Sequence, residues 1–208
     1  TVIDVGANIG AHTIALSAIV GEQGKVYAIE SHPEHFNILC ANLALNQIRN
    51  TMPINAFVAL SPDVETGSRE WGKYAYVSKR WETRFIALDA LELDACHLIK
   101  VDVDGNELEV LESGAMLIER FRPILYFEND VQDVSSRLLD FVMNKLGYDL
   151  YQHRAPIWDA DNYFGNPVNH WAPKNIVSLM ILGVPREGSV TISGLPKIGS
   201  PDEWWALG

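Results

Sequence analysis

The chain has 208 residues, 48% of them apolar, with 27 acidic against 16 basic side chains and a formal net charge of −11. That length and apolar content suit one sizeable core, and the acidic balance opposes a polyanion, so one domain with no nucleic-acid partner is expected. No apolar run is long enough for a bilayer and no basic, apolar leader is read, so the expectation is a cytoplasmic protein with no membrane partner.

In chain order, Thr1 to Val5 reads as a buried strand, which leads us to expect an amino-terminal segment ahead of it. Gly6-Ala7-Asn8-Ile9-Gly10 turns the chain, and Ala11, Ile14, Ala15, Ala18 and Ile19 recur at helical spacing as an expected buried face. Gly21 and Gly24 stop that helix, Lys25 to Glu30 forms a second strand, and Ser31-His32-Pro33 supplies a capped start for a helix burying Phe36, Leu39, Cys40 and Leu43. A third strand is predicted through Ile54 to Leu60, ended by the turn Ser61-Pro62-Asp63, with short antiparallel strands over residues 70–88. Leu98 to Val103 and Pro123 to Glu128 read as the fourth and fifth strands. Between them a helix carrying Leu108 and Leu111 follows the turn Asp104-Gly105-Asn106.

Val134, Leu138, Phe141 and Val142 mark a further helix that Gly147 ends, and Tyr148 to Gln152 and Ile176 to Leu182 are the last two strands. The loop from Arg154 to Asn175 is long and aromatic, and the tail after Pro185 is rich in glycine, proline and serine. The alternation implies an α/β fold: a Rossmann-like, doubly wound, mostly parallel seven-stranded sheet with helices on both faces, over residues 1–185, with residues 186–208 as a tail. Cys40 and Cys96 each sit in an apolar stretch without metal-ligand spacing and are expected to be buried and reduced.

The chemistry concentrates in Asp4-Val5-Gly6-Ala7-Asn8-Ile9-Gly10 and in Glu30 at the end of the second strand. Glycines let backbone approach a ligand closely, and an acid at that strand end suits a ribose hydroxyl, so a nucleoside site is expected. A dinucleotide fingerprint starting at Gly6 would want glycines where Asn8 and Ala11 stand, which weakens a nicotinamide-dependent oxidoreductase, and no P-loop lysine follows. Asp4 can pair with an ammonium group, which suits S-adenosylmethionine. A noncatalytic nucleoside-binding module stays open beside an enzyme.

Val2-Ile3-Asp4-Val5-Gly6-Ala7-Asn8-Ile9-Gly10-Ala11-His12-Thr13 resembles the first motif of the FkbM family of methyltransferases. Ala87-Leu88-Asp89, then Ile99 through Leu111 with its Lys100, Asp102, Asp104 and Gly105, resembles the family's later signature, and Arg122-Pro123-Ile124-Leu125 through Glu128 and Leu146-Gly147-Tyr148 follow in order. The resemblance runs over residues 2–185, with Asp104 where the family usually has glutamate and Asn106 where a small residue is common. It implies transfer of a methyl group from S-adenosylmethionine to an acceptor, a hydroxyl oxygen of a small molecule or sugar. It further implies that Asp4, Gly6, Asn8 and Gly10 hold the methionine part and Glu30 the ribose. Leu60 and Ser61 would flank adenine, and Asp102 would lie near the methyl group.

Three roles compete for Asp102, Asp104 and Glu128 at the strand ends: general base, an ion-pair network with Lys100, or, through Asp102, Glu128 and Asn129, a divalent-cation site. No metal is assigned. His170, among Trp158, Tyr163, Phe164 and Trp171, is a second candidate base beside aromatic faces suited to a sugar ring.

Overall fold

The computed structural model describes residues 1–60, 84–161, 165–170, 177–188 and 190–205. Its centre is β1 (Val2–Val5), four residues buried without exception. A strand covered on both faces needs such a continuous apolar run. It pairs in parallel with β2 (Val26–Glu30) and with β6 (Leu98–Val101), so that Asp4 stands level with Ala28 on one side and Lys100 on the other.

With β3 (Thr51–Asn55), β7 (Ile124–Glu128), β8 (Tyr148–Pro156) and β9 (Val177–Pro185), these strands make a seven-stranded sheet of order β3-β2-β1-β6-β7-β9-β8. Only β9 runs against its neighbours, pairing antiparallel with both β7 and β8. This is the mostly parallel Rossmann-like sheet anticipated. The chain winds outward from β1 in both directions, so the switch point lies between β1 and β6, where such sheets hold their ligands.

The helices are α1 (Ala11–Val20), α2 (Pro33–Leu45), α3 (Glu107–Glu112), α4 (Ala115–Phe121) and α5 (Gln132–Asp140). Five-step hydrogen bonding extends α5 over Phe141–Lys145, and Gly147 follows with φ 76°, the left-handed residue expected there. The main core gathers Ile3, Ile29, Ile99, Leu111, Leu125, Phe127, Leu138 and Tyr148. Among the described residues no helix is long and apolar enough to cross a membrane.

Several local expectations need correcting. Helix α1 buries Thr13 and Ser17, while Ala11, Ala15, Ala18 and Ile19 are exposed, Ile19 to 79%. The helix is apolar nearly all round, so periodicity selects no face, and the bond from the Thr13 hydroxyl to Asp4 turns that side toward the sheet. Helix α2 begins on Pro33 as expected, but no side chain caps it.

The third strand sits earlier than predicted, over Thr51–Asn55, and carries Pro53 within it. β3 is the sheet's edge strand, where a missing N–H costs no ladder bond. Phe57–Val58 (β4) leaves the main sheet and pairs in parallel, not antiparallel, with Phe85–Ile86 (β5). The rest of the predicted antiparallel segment lies outside the described residues.

β8 and β9 run to Pro156 and Pro185, beyond their predicted ends. The tail folds onto β8: Gln152 N–H donates to Pro196 O at 2.8 Å, Ile198 N–H to Leu150 O at 2.8 Å, and Ile198 and Trp205 are 2% and 4% exposed. Covering an edge strand in this way removes a free pairing surface. Both cysteines are free; Cys96 is buried, its thiol pushed up to about 12 by that burial, whereas Cys40 is only half-buried.

Candidate functional site

The loop from β1 to α1 holds Gly6, Asn8 and Gly10 at φ of 75°, 50° and 91°, a region that favours glycine and asparagine. The glycines answer first to the protein itself. A Cβ at Gly6 would stand 1.8 Å from the Asp102 carbonyl oxygen, and one at Gly10 would stand 2.7 Å from Leu39 Cδ1. The close backbone approach expected toward a ligand is made here by the chain leaving β6 and by α2. No side chain caps the start of α1, so its first-turn N–H groups carry the usual orphaned donors of a helix start.

Asp4 is fully buried. Its Oδ2 accepts the Thr13 hydroxyl at 2.6 Å, and its Oδ1 lies 3.2 Å from Lys100 Nζ. Lys100 Nζ also lies 3.4 Å from Asp102 Oδ2, so one buried ammonium ties the centre of β1 to the end of β6. Of the three readings open for the acids, the ion-pair network is the one whose contacts are formed. Asp4 has no exposed surface with which to meet an ammonium from outside, unlike the direct pairing anticipated.

Glu30 is reached from two sides by backbone. Its Oε2 accepts the Asn8 N–H at 2.8 Å and its Oε1 the His32 N–H at 2.7 Å. One carboxylate therefore fastens the glycine loop and the entry to α2 together. Each oxygen keeps a further lone pair beside the loop. Leu60, which is 58% exposed, ends the described stretch after β4, and Ser61 lies outside the described residues.

Across the switch point, Asp102, Asp104, Glu107, Glu128 and Asp130 form an acidic group. Burial, then Asp102 and Asp130, push the Glu128 carboxyl up to about 8. Glu107 is buried and pushed up to about 7 by that burial, although its Oε1 accepts the N–H groups of Val103 at 3.0 Å and Gly105 at 3.2 Å. Asp130 is raised as well, by burial first. Asp102 and Glu128 thus stand close enough for the charge of one to raise the carboxyl of the other. Among the described residues no group of three or more histidine, cysteine or acidic side chains is arranged to hold a metal ion; the backbone carbonyl of Asn129 accepts the Trp205 indole N–H at 2.7 Å, while its buried side-chain Oδ1 has no hydrogen-bond partner among them.

His170 is exposed; Tyr163, Phe164 and Trp171 lie outside the described residues. A different histidine sits beside β7, unread from sequence: His153 Nδ1 is 2.7 Å from the Tyr126 hydroxyl. Only its place at an alternate position of β8 could have signalled it, and that face is settled by the intervening β9. Glu107 was likewise read only as part of a motif. A glutamate opening a helix after a glycine turn is the signal that would have found its hold on the turn.

The family model described as the methyltransferase FkbM domain matches residues 4–150. The chain belongs to this family. The family is one of S-adenosylmethionine-dependent methyltransferases, which sets aside the nicotinamide oxidoreductase as a reading of the fold. An FkbM methyltransferase from Methylobacillus flagellatus has the same fold at 16% identity and a TM-score of 0.56, over 88% of this chain and 43% of that one. Fibrillarin from Aeropyrum pernix, crystallised with natively bound S-adenosyl-L-methionine, aligns at 16% identity and a TM-score of 0.52, over 88% of this chain and 66% of that one. A curated relative, the tRNA(Phe) (4-demethylwyosine(37)-C(7)) aminocarboxypropyltransferase of Methanocaldococcus jannaschii, is 44% identical over 55 residues, 26% of this chain. The chain spans 22% of that relative's length.

Proposed function

We propose that the protein transfers the methyl group of S-adenosylmethionine to a hydroxyl oxygen of a small molecule or sugar. The observation that carries this reading is Glu30, anchored at the end of β2 by the Asn8 and His32 N–H groups and presenting its remaining lone pairs beside the Gly6–Gly10 loop. A carboxylate so fixed is prepared to accept the two hydroxyls of a ribose without further ordering cost. The uncapped start of α1 suits the carboxylate of the methionine part, next to Gly6, Asn8 and Gly10. Leu60 supplies apolar surface for adenine.

In this reading Asp4 acts beneath the loop, holding Thr13 and Lys100 in place, and Asp102 stands at the sulfonium with Lys100 fixing its carboxylate. The sulfonium supplies an already electrophilic methyl group, so the protein mainly aligns the acceptor and takes up its proton. Glu128, with a carboxyl raised to about 8, carries a proton at neutral pH and orients the acceptor oxygen by hydrogen bonding. His170, exposed in its loop, belongs to the acceptor's outer approach. The curated relative is named for a tRNA, but five carboxylates around the crevice and a net charge of −11 favour a neutral acceptor.

Isothermal titration with S-adenosylmethionine, S-adenosylhomocysteine and NAD tests the cofactor. Micromolar binding of the first two, weakened at least about tenfold in Glu30→Gln, is expected, since a charge-assisted hydrogen bond contributes about 1.5–3 kcal/mol. Binding of NAD in preference to both would overturn the reading. Acceptor screening then compares small hydroxylated compounds with tRNA, and methylation of tRNA alone would replace the acceptor class proposed.

A further inference from the structure

The register across β6, β7, β9 and β8 lays out one face of the sheet. Leu125 and Phe127 are fully buried, so Tyr126 and Glu128 project to the other side of β7, level with Lys100 through the pair Lys100–Tyr126. Glu128 stands opposite Met180, and Met180 opposite His153, which places His153 on that same face two strands away. Tyr126 crosses β9 to meet it: the hydroxyl lies 2.7 Å from His153 Nδ1, with the rings 5.9 Å apart at 44°. Both side chains are half-buried.

Resting on the methyl-transfer reading above, we propose that Tyr126 and His153 form the proton relay that deprotonates the acceptor hydroxyl. As the acceptor oxygen forms the new C–O bond, the C–S bond breaks with its electron pair going to sulfur. The hydroxyl proton passes to Tyr126 Oη while the phenol's own proton passes to His153 Nδ1. The products are a methyl ether, a neutral thioether, an intact phenol and an imidazolium, which returns its proton to solvent.

Burial, then Asp102, raises the Tyr126 phenol, so it stays protonated and can serve as a relay but not as a standing phenolate. Glu128, already protonated at neutral pH, cannot be the first acceptor. The imidazolium formed releases its proton to solvent from the half-buried side chain of His153. The charged group nearest it on its own strand, Arg154, lies 5.7 Å from the Trp205 ring centre.

The test is imidazole nitrogen NMR of the full chain above neutral pH, free and with S-adenosylmethionine or S-adenosylhomocysteine. The relay requires His153 to be unprotonated at Nδ1 and protonated at Nε2, with the Nδ1 signal moved by Tyr126→Phe. It also requires the His153 nitrogens to respond differently to the two nucleosides, which differ only by the methyl group and its charge. An N–H at Nδ1, or identical responses to both bound nucleosides, overturns the relay while leaving the cofactor assignment standing. Failure of either nucleoside to shift any resonance overturns the methyl-transfer reading itself and the relay with it.

Discussion

Two glutamates end parallel strands on opposite sides of the same switch point, and their surroundings differ in kind. Glu30 ends β2 with a backbone N–H on each oxygen, supplied by the loop before α1 and the residue before α2. Glu128 ends β7 among Asp102, Asp130, Glu107 and Asp104, and its carboxyl is driven upward. The first half of the crevice is made by backbone closing around one carboxylate; the second is made by carboxylates crowding one another. Backbone donors belong to the local loop and are fixed by chain geometry, whereas crowding depends on which strands become neighbours. The first arrangement suits a constant ligand, and the second suits tuning protonation for an acceptor.

The contrast is most easily broken at Gly6. Gly6→Ala adds a Cβ 1.8 Å from the Asp102 carbonyl at a φ of 75°, and we expect a loss of about 4 kcal/mol or more, read as the urea midpoint of unfolding. Stability within about 1 kcal/mol of the parent would show that the β1 loop and the end of β6 are not locked together. Next in size, Lys100→Met strands Asp4, which is fully buried, without its cation. A cost of about 3 kcal/mol is expected, largely recovered when Asp4→Asn is added. An additive double variant would mean that the pair does not act as a unit.

The acid side is sharpened by pH. Glu128 binds its proton more tightly folded, at about 8, than at its ordinary value of 4.5, so between those values the native state holds the extra proton. Its stabilising contribution is complete below about 4.5 and lost as pH rises through about 8. Glu128→Gln should therefore flatten the fall in stability toward alkaline pH, and parallel profiles for variant and parent would contradict that. The smallest effect belongs to the tail. Trp205→Phe removes the indole N–H donated to the Asn129 carbonyl at 2.7 Å and should cost about 1 kcal/mol, seen as faster amide exchange at the end of β7.

Local features account for what could be read in advance and for what could not. The strands β1, β2, β6 and β7 were legible because a doubly covered parallel strand must be an apolar run, and the glycine loop was legible because left-handed backbone selects Gly6, Asn8 and Gly10. The face of α1 was not, since Ile14, Ala15, Ala18 and Ile19 leave no polar side to exclude. Residues 51–53 lie outside the predicted strand because Pro53 argues against a strand until the strand is known to be an edge. Of the site, Asp102 and Glu128 were placed by their positions at strand ends, but the contact of buried Asp4 with Thr13 and the hold of Glu30 on the Asn8 N–H join residues nine and twenty-two apart in sequence, and only the His32 N–H on Glu30 is local.

By itself the sequence determined the α/β alternation and the family, because these rest on short-range patterns: apolar runs, turn glycines and acids at strand ends. Tertiary structure alone decided that Lys100 joins Asp4 to Asp102, that burial and neighbouring acids raise the Glu128 carboxyl and that Tyr126 meets His153. Each of those is a matter of distance and burial between strands that only the sheet order brings side by side, and electrostatic energy depends steeply on both.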